Sequence, residues 1–193
     1  MAQDDPDLTL VKALMLGQQQ ALDALMDRHR EGLFRFVLRN VQNEDDALEL
    51  AMETFVRAYF NIEKFRPTAK FATWLYRIAL NLCRDHVRSR AYRDSQQTVS
   101  FDAPGQEAGE PGSVLAKERG PRQDAERQEE LNALQKAIGE LPEELKEVVI
   151  LTALEDRSQA ETAELLRISV KAVEMRLYRA RKLLLEKMSK IGY

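Results

Sequence analysis

The sequence predicts an all-α protein of two small helical domains joined by a flexible linker, the second ending in a helix-turn-helix. Apolar residues recur at helical spacing toward both ends of the 193-residue chain, and no strand is needed anywhere. Charged residues make up 32% and aromatic residues 7%, a mix typical of helical proteins rather than β-sandwiches or barrels. Between the two helical parts lies a segment rich in glycine and proline, which favours a linker there.

The first domain, residues 1–93, is predicted to contain four helices. Its apolar period stops at Gly17, which ends the first helix, and then continues through a longer second helix. Asn43 is predicted to cap the third helix, because its side-chain oxygen can accept a hydrogen bond from the first turn. Acidic residues follow at once, where the helix dipole favours negative charge. The period breaks at 61–70, and the fourth helix follows.

Residues 94–130 are predicted to form the flexible linker. They hold four of the 8 glycines and three of the 6 prolines, and they show no sustained apolar period. A shorter linker, at about 94–125, fits the pattern equally well.

The second domain, residues 131–193, is predicted to end in a helix-turn-helix. The segment Ser158–Glu161 is a capping box, which starts a short helix ending near Arg167. After a tight turn, Ser169 is a candidate cap for a last helix that runs to about Lys187. A short helix, a tight turn and a longer helix are the parts of a DNA-reading helix-turn-helix.

The charges of the chain are sorted into blocks. The formal net charge is −3, yet residues 64–93 carry eight basic residues against one acid, a net +7. Residues 167–193 carry eight basic residues against two acids, a net +6, and the remainder of the chain is acidic. A structural interpretation without any binding role is that these blocks form two helices with solvated basic faces. The sorting favours two surfaces for a polyanion, with the acidic parts discouraging indiscriminate binding.

On the fourth helix, from Phe71 to about Arg90, polar and basic side chains are predicted to share one narrow face. A row of guanidinium groups suits a phosphate backbone, and Asn81 in its middle suits a base edge. Aromatic side chains beside such a row suit stacking with single-stranded bases, although core packing explains any single aromatic at least as well. The predicted DNA-binding residues of this helix and of the loop before it are Lys64, Arg66, Lys70, Thr73, Trp74, Arg77, Asn81, Arg84 and Arg88.

The last helix has one apolar face and one polar face. The polar face of its N-terminal half is predicted to enter the major groove, while arginines on the flanks hold phosphates. Glu174 suits a cytosine amino group, and Lys171 suits guanine. The predicted DNA-binding residues here are Ser169, Lys171, Glu174, Met175, Arg176, Tyr178, Arg179 and Lys182.

The two halves together resemble a sigma factor of bacterial RNA polymerase, of the small two-domain extracytoplasmic-function (ECF) type. The resemblance covers about residues 20–92 and 130–188. In the first half, the matching patterns are D-A-x-x-L-x-x-E-T-F from Asp46 and F-x-x-W-L-Y-R-I-A-x-N from Phe71. In the second half, the matching segments are Leu141-Pro142, Ser158–Leu166 and Arg176–Arg181.

The resemblance implies a function for each part. The acidic helix would dock on core RNA polymerase through Asp45, Asp46, Glu49 and Glu53. The fourth helix and its loop would open and read the promoter −10 element, and the last helix would read the −35 element. The polymerase performs the chemistry, so no catalytic residue, cofactor or metal is expected. Apart from the resemblance, a single cysteine, Cys83, excludes an internal disulfide and predicts the reducing cytoplasm as the place of the protein. Relatives of this type are often inhibited by an anti-sigma factor, although nothing in the sequence identifies one.

Three departures from the family pattern fall on the reading helix and the turn before it. Arg167 stands where the family usually has glycine, and Lys171 stands where a small residue is common. Glu174 and Met175 replace a common basic residue and serine. They predict a different −35 sequence, or a weaker dependence on it.

Other classes of protein explain less. A dimeric repressor or a response-regulator output domain accounts for the second half only, and it would bind duplex DNA without polymerase. For an enzyme, the chain lacks a glycine-rich phosphate loop. Cys83 and His86 lie one turn apart, but two ligands are too few for a metal site, and a buried thiol with a partly buried imidazole is the simpler interpretation. No segment approaches ~18 uncharged apolar residues, so no membrane insertion is expected.

Overall fold

A computed structural model of the chain describes residues 5–97 and 121–191, and it separates into two units, Met1–Ala108 and Gly109–Tyr193. The regular elements within the described residues are all helical, which confirms the predicted all-α class. None of the described helices has a stretch long and apolar enough to cross a bilayer.

The first unit contains four α-helices and one 3₁₀ turn. They are α1 (Leu8–Met15), α2 (Gln20–Val41), α3 (Glu44–Phe60), the 3₁₀ turn Ile62–Lys64 and α4 (Phe71–Gln97). Helix α2 packs against the other three helices, and α3 also packs against α4. The Asp46 N–H donates to Oδ1 of Asn43 at 2.9 Å, so the predicted cap of α3 is confirmed.

The core of the first unit is built around α2. Leu33, Phe36 and Val37 are fully buried there. Tyr76 of α4 packs its ring 4.9 Å from that of Phe36, and its hydroxyl lies 2.9 Å from the point where Gly32 would carry a Cβ. Glycine at this position therefore permits the close approach of α2 and α4.

The second unit contains the remaining helices. They are α5 (Pro121–Gly139), α6 (Glu143–Val149), a π-helical turn Ile150–Leu154, α7 (Gln159–Leu166) and α8 (Val170–Ile191). The predicted capping box of α7 is present between Ser158 and Glu161, and Oγ of Ser169 accepts from the Ala172 N–H at 3.1 Å. Arg167 ends α7 in the left-handed conformation, with φ 57°.

The helices beside the predicted linker 94–130 extend into it. Helix α4 continues beyond the predicted end at Arg90 to Gln97, and α5 already begins at Pro121. Both ends of the predicted linker are therefore helical, and residues 98–120 lie outside the described residues. The apolar period does not mark the first turns of α5, because residues 127–132 are exposed on all sides of the helix and need no buried face. Pro121 suits a first helical turn, where its missing N–H costs no hydrogen bond.

Candidate nucleic-acid interface

The segment between α3 and α4 places basic side chains on the surface of the first unit. Lys64, Arg66 and Lys70 are all exposed. Nζ of Lys64 donates to Oδ1 of Asn61 at 2.7 Å. The guanidinium of Arg66 donates to two carbonyl oxygens of the same segment, at 2.8 and 3.2 Å. Hydrogen bonds thus hold both cations against a short, ordered loop.

Aromatic side chains pack directly behind this loop. Phe65 and Phe71 are each only 2% exposed, so they belong to the core. Trp74 is half-buried, with its ring centroid 5.6 Å from that of Phe65 and 5.8 Å from that of Phe71. Of this group, Trp74 alone keeps surface with which to meet a base.

The outer face of α4 begins later than the sequence predicts. Arg77 and Arg84 are partly buried, whereas Asn81 and Arg88 are exposed. Thr73 is 3% exposed, so its predicted place on the DNA-binding face is wrong. Residues four apart turn about 40° relative to each other, so Thr73 and Asn81 differ by about 80° around the helix. That rotation moves Thr73 into the core.

Helix α8 presents a mixed polar face to solvent. Val173 and Ala180, on its opposite face, are fully buried and hold the helix in the unit. Arg176 is partly buried, and its guanidinium lies 2.9 Å from a carboxylate oxygen of Glu144 in α6. The other predicted residues of this helix and its cap are all exposed: Ser169, Lys171, Glu174, Met175, Tyr178, Arg179 and Lys182.

The acidic residues predicted for polymerase docking differ in what their carboxylates contact. Asp45 and Glu49 are exposed, and Glu53 accepts a hydrogen bond from Nε of Arg57 at 2.8 Å. The carboxylate of Asp46 instead faces α4, 3.2 Å from Nε2 of His86 and 3.7 Å from Arg90. Asp46 thus links two helices of the same unit, and its role in polymerase docking stays a prediction.

The sequence pattern did not identify an apolar stripe on the outer side of α3. Leu48, Met52, Val56 and Phe60 lie four residues apart and are 59%, 49%, 45% and 77% exposed. We call these four residues the α3 stripe. Their spacing is visible in the sequence, but the buried face of the same helix is apolar too, and only packing distinguishes the two faces. Large exposed apolar patches mark interaction sites.

The second unit has an apolar groove of about 620 Å³ between α5, the end of α6 and α8. Its apolar lining includes Leu134, Val149, Leu177, Leu184, Leu185 and Met188. Beside it, the ammonium of Lys187 lies 2.5 Å from Oε2 of Glu140 and lowers the pKa of that carboxyl by a hydrogen bond and by its charge. This ion pair ties the last turns of α8 to the end of α5.

Among the residues described here, no group of three or more His, Cys, Asp or Glu could hold a metal ion. Cys83 is buried, and His86 faces Asp46. Cys83 therefore belongs to the core of the first unit, and His86 belongs to the contact between α4 and α3.

Two family descriptions match the chain, one in each unit. Residues 25–93 match Sigma-70 region 2, and residues 131–184 match Sigma-70, region 4. The ECF RNA polymerase sigma factor SigW of Bacillus subtilis is 31% identical over 90% of this chain and 92% of its own length. The RNA polymerase sigma factor CnrH of Cupriavidus metallidurans is 34% identical over 94% of this chain and 93% of its own.

Solved structures agree with these matches. The structure of CnrH in complex with the cytosolic domain of CnrY has a TM-score of 0.68 at 29% identity and covers 96% of this chain and 99% of its own. The sigma factor RpoE of Bartonella quintana, solved with the anti-sigma factor NepR, has a TM-score of 0.64 at 19% identity. That likeness covers 89% of this chain and 98% of the other, and it concerns the fold.

Proposed function

Because the chain belongs to the ECF group of the sigma-70 family of RNA polymerase sigma factors, we propose which of its surfaces meet the promoter and which meet the polymerase. A sigma factor is a transcription initiation factor, and RNA synthesis takes place in the polymerase. The side chains of this protein therefore serve to bind DNA and polymerase, and none is assigned a catalytic step.

The loop at 61–70 and the outer face of α4 bind the −10 element. The observation that carries this assignment is the excess of basic residues in this segment, with Lys64, Arg66, Lys70 and Arg88 exposed and Asn81 exposed between the loop and Arg88. Cations suit the phosphates, the Asn81 amide suits a base edge, and Trp74 suits stacking with an unpaired base. The proposed contact residues are Lys64, Arg66, Lys70, Trp74, Arg77, Asn81, Arg84 and Arg88, without Thr73.

The exposed face of α8 reads the −35 element in the major groove. Lys171, Glu174 and Met175 occupy the N-terminal turns, where a recognition helix contacts base edges. Tyr178, Arg179 and, one turn later, Lys182 suit phosphate contacts. Arg176 is held by Glu144. We therefore assign it a role beside the reading face, supporting the angle of α8 rather than contacting a base.

Core polymerase is bound through the outer side of α3. The α3 stripe offers apolar surface for burial, and the exposed acids Asp45 and Glu49 flank it. Apolar contacts supply affinity at an interface, whereas surrounding charges steer and orient the partner. This assignment keeps Asp45, Glu49 and Glu53 from the sequence prediction and leaves Asp46 out.

An anti-sigma factor controls the protein by covering apolar surfaces, among them the α3 stripe, before polymerase binds. CnrH, which is similar over most of its length, is solved with a second protein bound to it. The α3 stripe and the apolar groove of the second unit are surfaces that such a partner would bury. The place of action is the cytoplasm, where the polymerase and the chromosome are.

Run-off transcription with bacterial core polymerase, on a pool of promoter-like fragments, tests the proposal. Defined transcripts that need both core and this protein are expected, and their start regions supply the −10 and −35 sequences. An Asn81→Ala variant is expected to lose discrimination within the −10 element, whereas Asn132→Ala, at an exposed position on α5, is expected to keep it. Tight duplex binding by the protein alone, without transcripts, would support a repressor instead.

A further inference from the structure

The first turn of α4 is capped by a residue that is distant in sequence, near the start of the first unit. Lys70 precedes this helix, and a lysine side chain has no oxygen to accept a hydrogen bond from the starting N–H groups. Instead the Phe71 N–H donates to Oδ2 of Asp5 at 2.7 Å, across 66 positions of sequence. The first turn of α4 contains no acidic residue. Asp5 thus supplies the negative charge that the helix dipole favours.

Asp5 is itself held in place by its neighbours. Its Oδ1 accepts a hydrogen bond from the Asp7 N–H at 3.0 Å. Asp7 is 2% exposed, and its carboxylate pairs with Arg28 and, at 2.7 Å, with Nε2 of His29, both on α2. Arg28 also donates to the carbonyl oxygen of Pro6 at 3.2 Å. We call residues 5–7 the N-terminal strap, because they fasten α2 to the start of α4.

The strap lies against the side chains that support the loop. The His29 ring packs 5.8 Å from the Phe71 ring, and Phe71 packs 5.9 Å from Phe65 and 5.8 Å from Trp74. Helix α1, which follows the strap, packs on the 3₁₀ turn of the same loop. One connected set of contacts therefore joins the strap to the cations and the tryptophan proposed to meet −10 DNA.

We propose that Asp5 is a positioning residue for −10 recognition. Its carboxylate keeps the first turn of α4 formed, and so sets Lys70 and Trp74 in place for single-stranded DNA. Without the cap this turn frays, and DNA binding must then order it at a cost in affinity. The inference rests on the proposed function of the loop, and it adds a residue that touches no DNA.

Binding of a fluorescent single-stranded −10 oligonucleotide by holoenzyme, assembled from the full chain and core polymerase, tests it. Asp5→Ala is expected to weaken this binding by about fivefold to tenfold, the size of a lost helix cap. Asp5→Asn keeps an acceptor oxygen for the Phe71 N–H and is expected to restore most of the affinity. Asp23→Ala removes an exposed acid from the first turn of α2 and is expected to change nothing.

Two further measurements separate positioning from general damage. Core affinity of Asp5→Ala is expected to match the wild type, and hydrogen exchange at residues 71–74 is expected to be faster. Unchanged −10 binding by Asp5→Ala overturns the inference, and so does an equal loss of core affinity. If Asn81→Ala also leaves −10 binding unchanged, the assignment of α4 itself fails. If Asn81→Ala weakens it and Asp5→Ala does not, the strap inference alone fails.

Discussion

Arg167 has a φ of 57°, in the left-handed region that glycine enters at lower cost than any other residue. It occupies the position after the last turn of α7, where a left-handed residue commonly ends a helix and lets the chain reverse. The tight turn into α8 requires that conformation, whichever residue is present. The family usually has glycine at this position. Arg167 therefore adopts, with some backbone strain, a conformation that glycine adopts freely.

Arg167→Gly is therefore expected to stabilise the second unit by about 1 kcal/mol, because the left-handed conformation no longer crowds a Cβ. Calorimetric unfolding of the full chain measures this change. The matched control is Arg179→Gly, in the middle of α8, which is expected to destabilise the unit by about 1 kcal/mol. Equal effects of the two substitutions would contradict the explanation.

Glu174 is an exposed acid on a face that also carries Lys171 and Lys182, so it is the residue of α8 expected to have the clearest effect on base preference. Glu174→Lys is expected to change which −35 sequences support transcription, since a carboxylate accepts from cytosine and an ammonium donates to guanine. A promoter library measures the preference. Glu186→Lys makes the same charge change further along α8 and is expected to leave it as it is. An unchanged preference in both variants would refute a reading role for Glu174.

At the scale of elements, the sequence predicts what local chemistry decides. The caps at Asn43 and Ser158 were predictable because a side-chain oxygen and the backbone it bonds lie three residues apart. The burial of Thr73 was not predictable, because it depends on the rotation of α4 against its neighbours. The capping of α4 by Asp5 was not predictable either, since Phe71 is 66 positions away and no periodic pattern links the two residues.

In α3, two neighbouring acids differ in the same way: Asp46 contacts another helix, whereas Asp45 is exposed. Asp46→Ala is expected to lower the free energy of unfolding of the first unit by about 1 kcal/mol, because it removes a half-buried ion pair to α4 and a favourable charge at the helix start. Denaturant unfolding followed by the fluorescence of the single tryptophan, Trp74, measures it. Asp45→Ala, at the exposed neighbour, removes the helix-start charge alone and is expected to cost less than half as much. Equal losses would show that the contacts to α4 contribute nothing.

The α3 stripe makes a separate prediction about polymerase. Val56→Asp introduces a charge into the middle of the stripe, and it is expected to weaken core binding by at least about tenfold, as at the centre of an interface. Titration of labelled protein with core measures the affinity. Leu16→Asp changes an apolar side chain that is 80% exposed at the end of α1, and it is expected to have no effect. If both variants bind core like the wild type, polymerase docks elsewhere.

At the scale of the whole molecule, the sorted charges agree with the proposal that each unit contributes one DNA-binding surface. The basic blocks coincide with the loop and outer face of α4 and with α8, while the start of α3 is acidic. If the proposed assignments hold, an acidic chain with two basic surfaces is expected to bind DNA weakly where only one surface is matched. Affinity for a whole promoter then depends on both surfaces engaging together.

This arrangement predicts how salt acts on holoenzyme bound to a promoter. Arg88→Ala is expected to reduce the slope of log affinity against log salt concentration by about 0.7 to 0.9, because one phosphate contact and its counterion release are lost. Asn81→Ala is expected to lower affinity without changing the slope, since an amide releases no counterion. Affinities measured across a salt series distinguish the two. A change of slope for Asn81→Ala would contradict its role at a base edge.

The division of α8 into a buried and an exposed face also bears on how such proteins diverge. Val173 and Ala180 carry the packing and have no exposed surface, whereas Lys171, Glu174 and Met175 contribute little to the core. Substitutions at exposed positions typically change stability by no more than about 0.5 kcal/mol. If α8 reads the −35 element as proposed, mutations that alter promoter preference are therefore expected to arise in a scaffold that tolerates them. After gene duplication, a copy of this chain could acquire a new set of target genes through single substitutions, each of which leaves it folded.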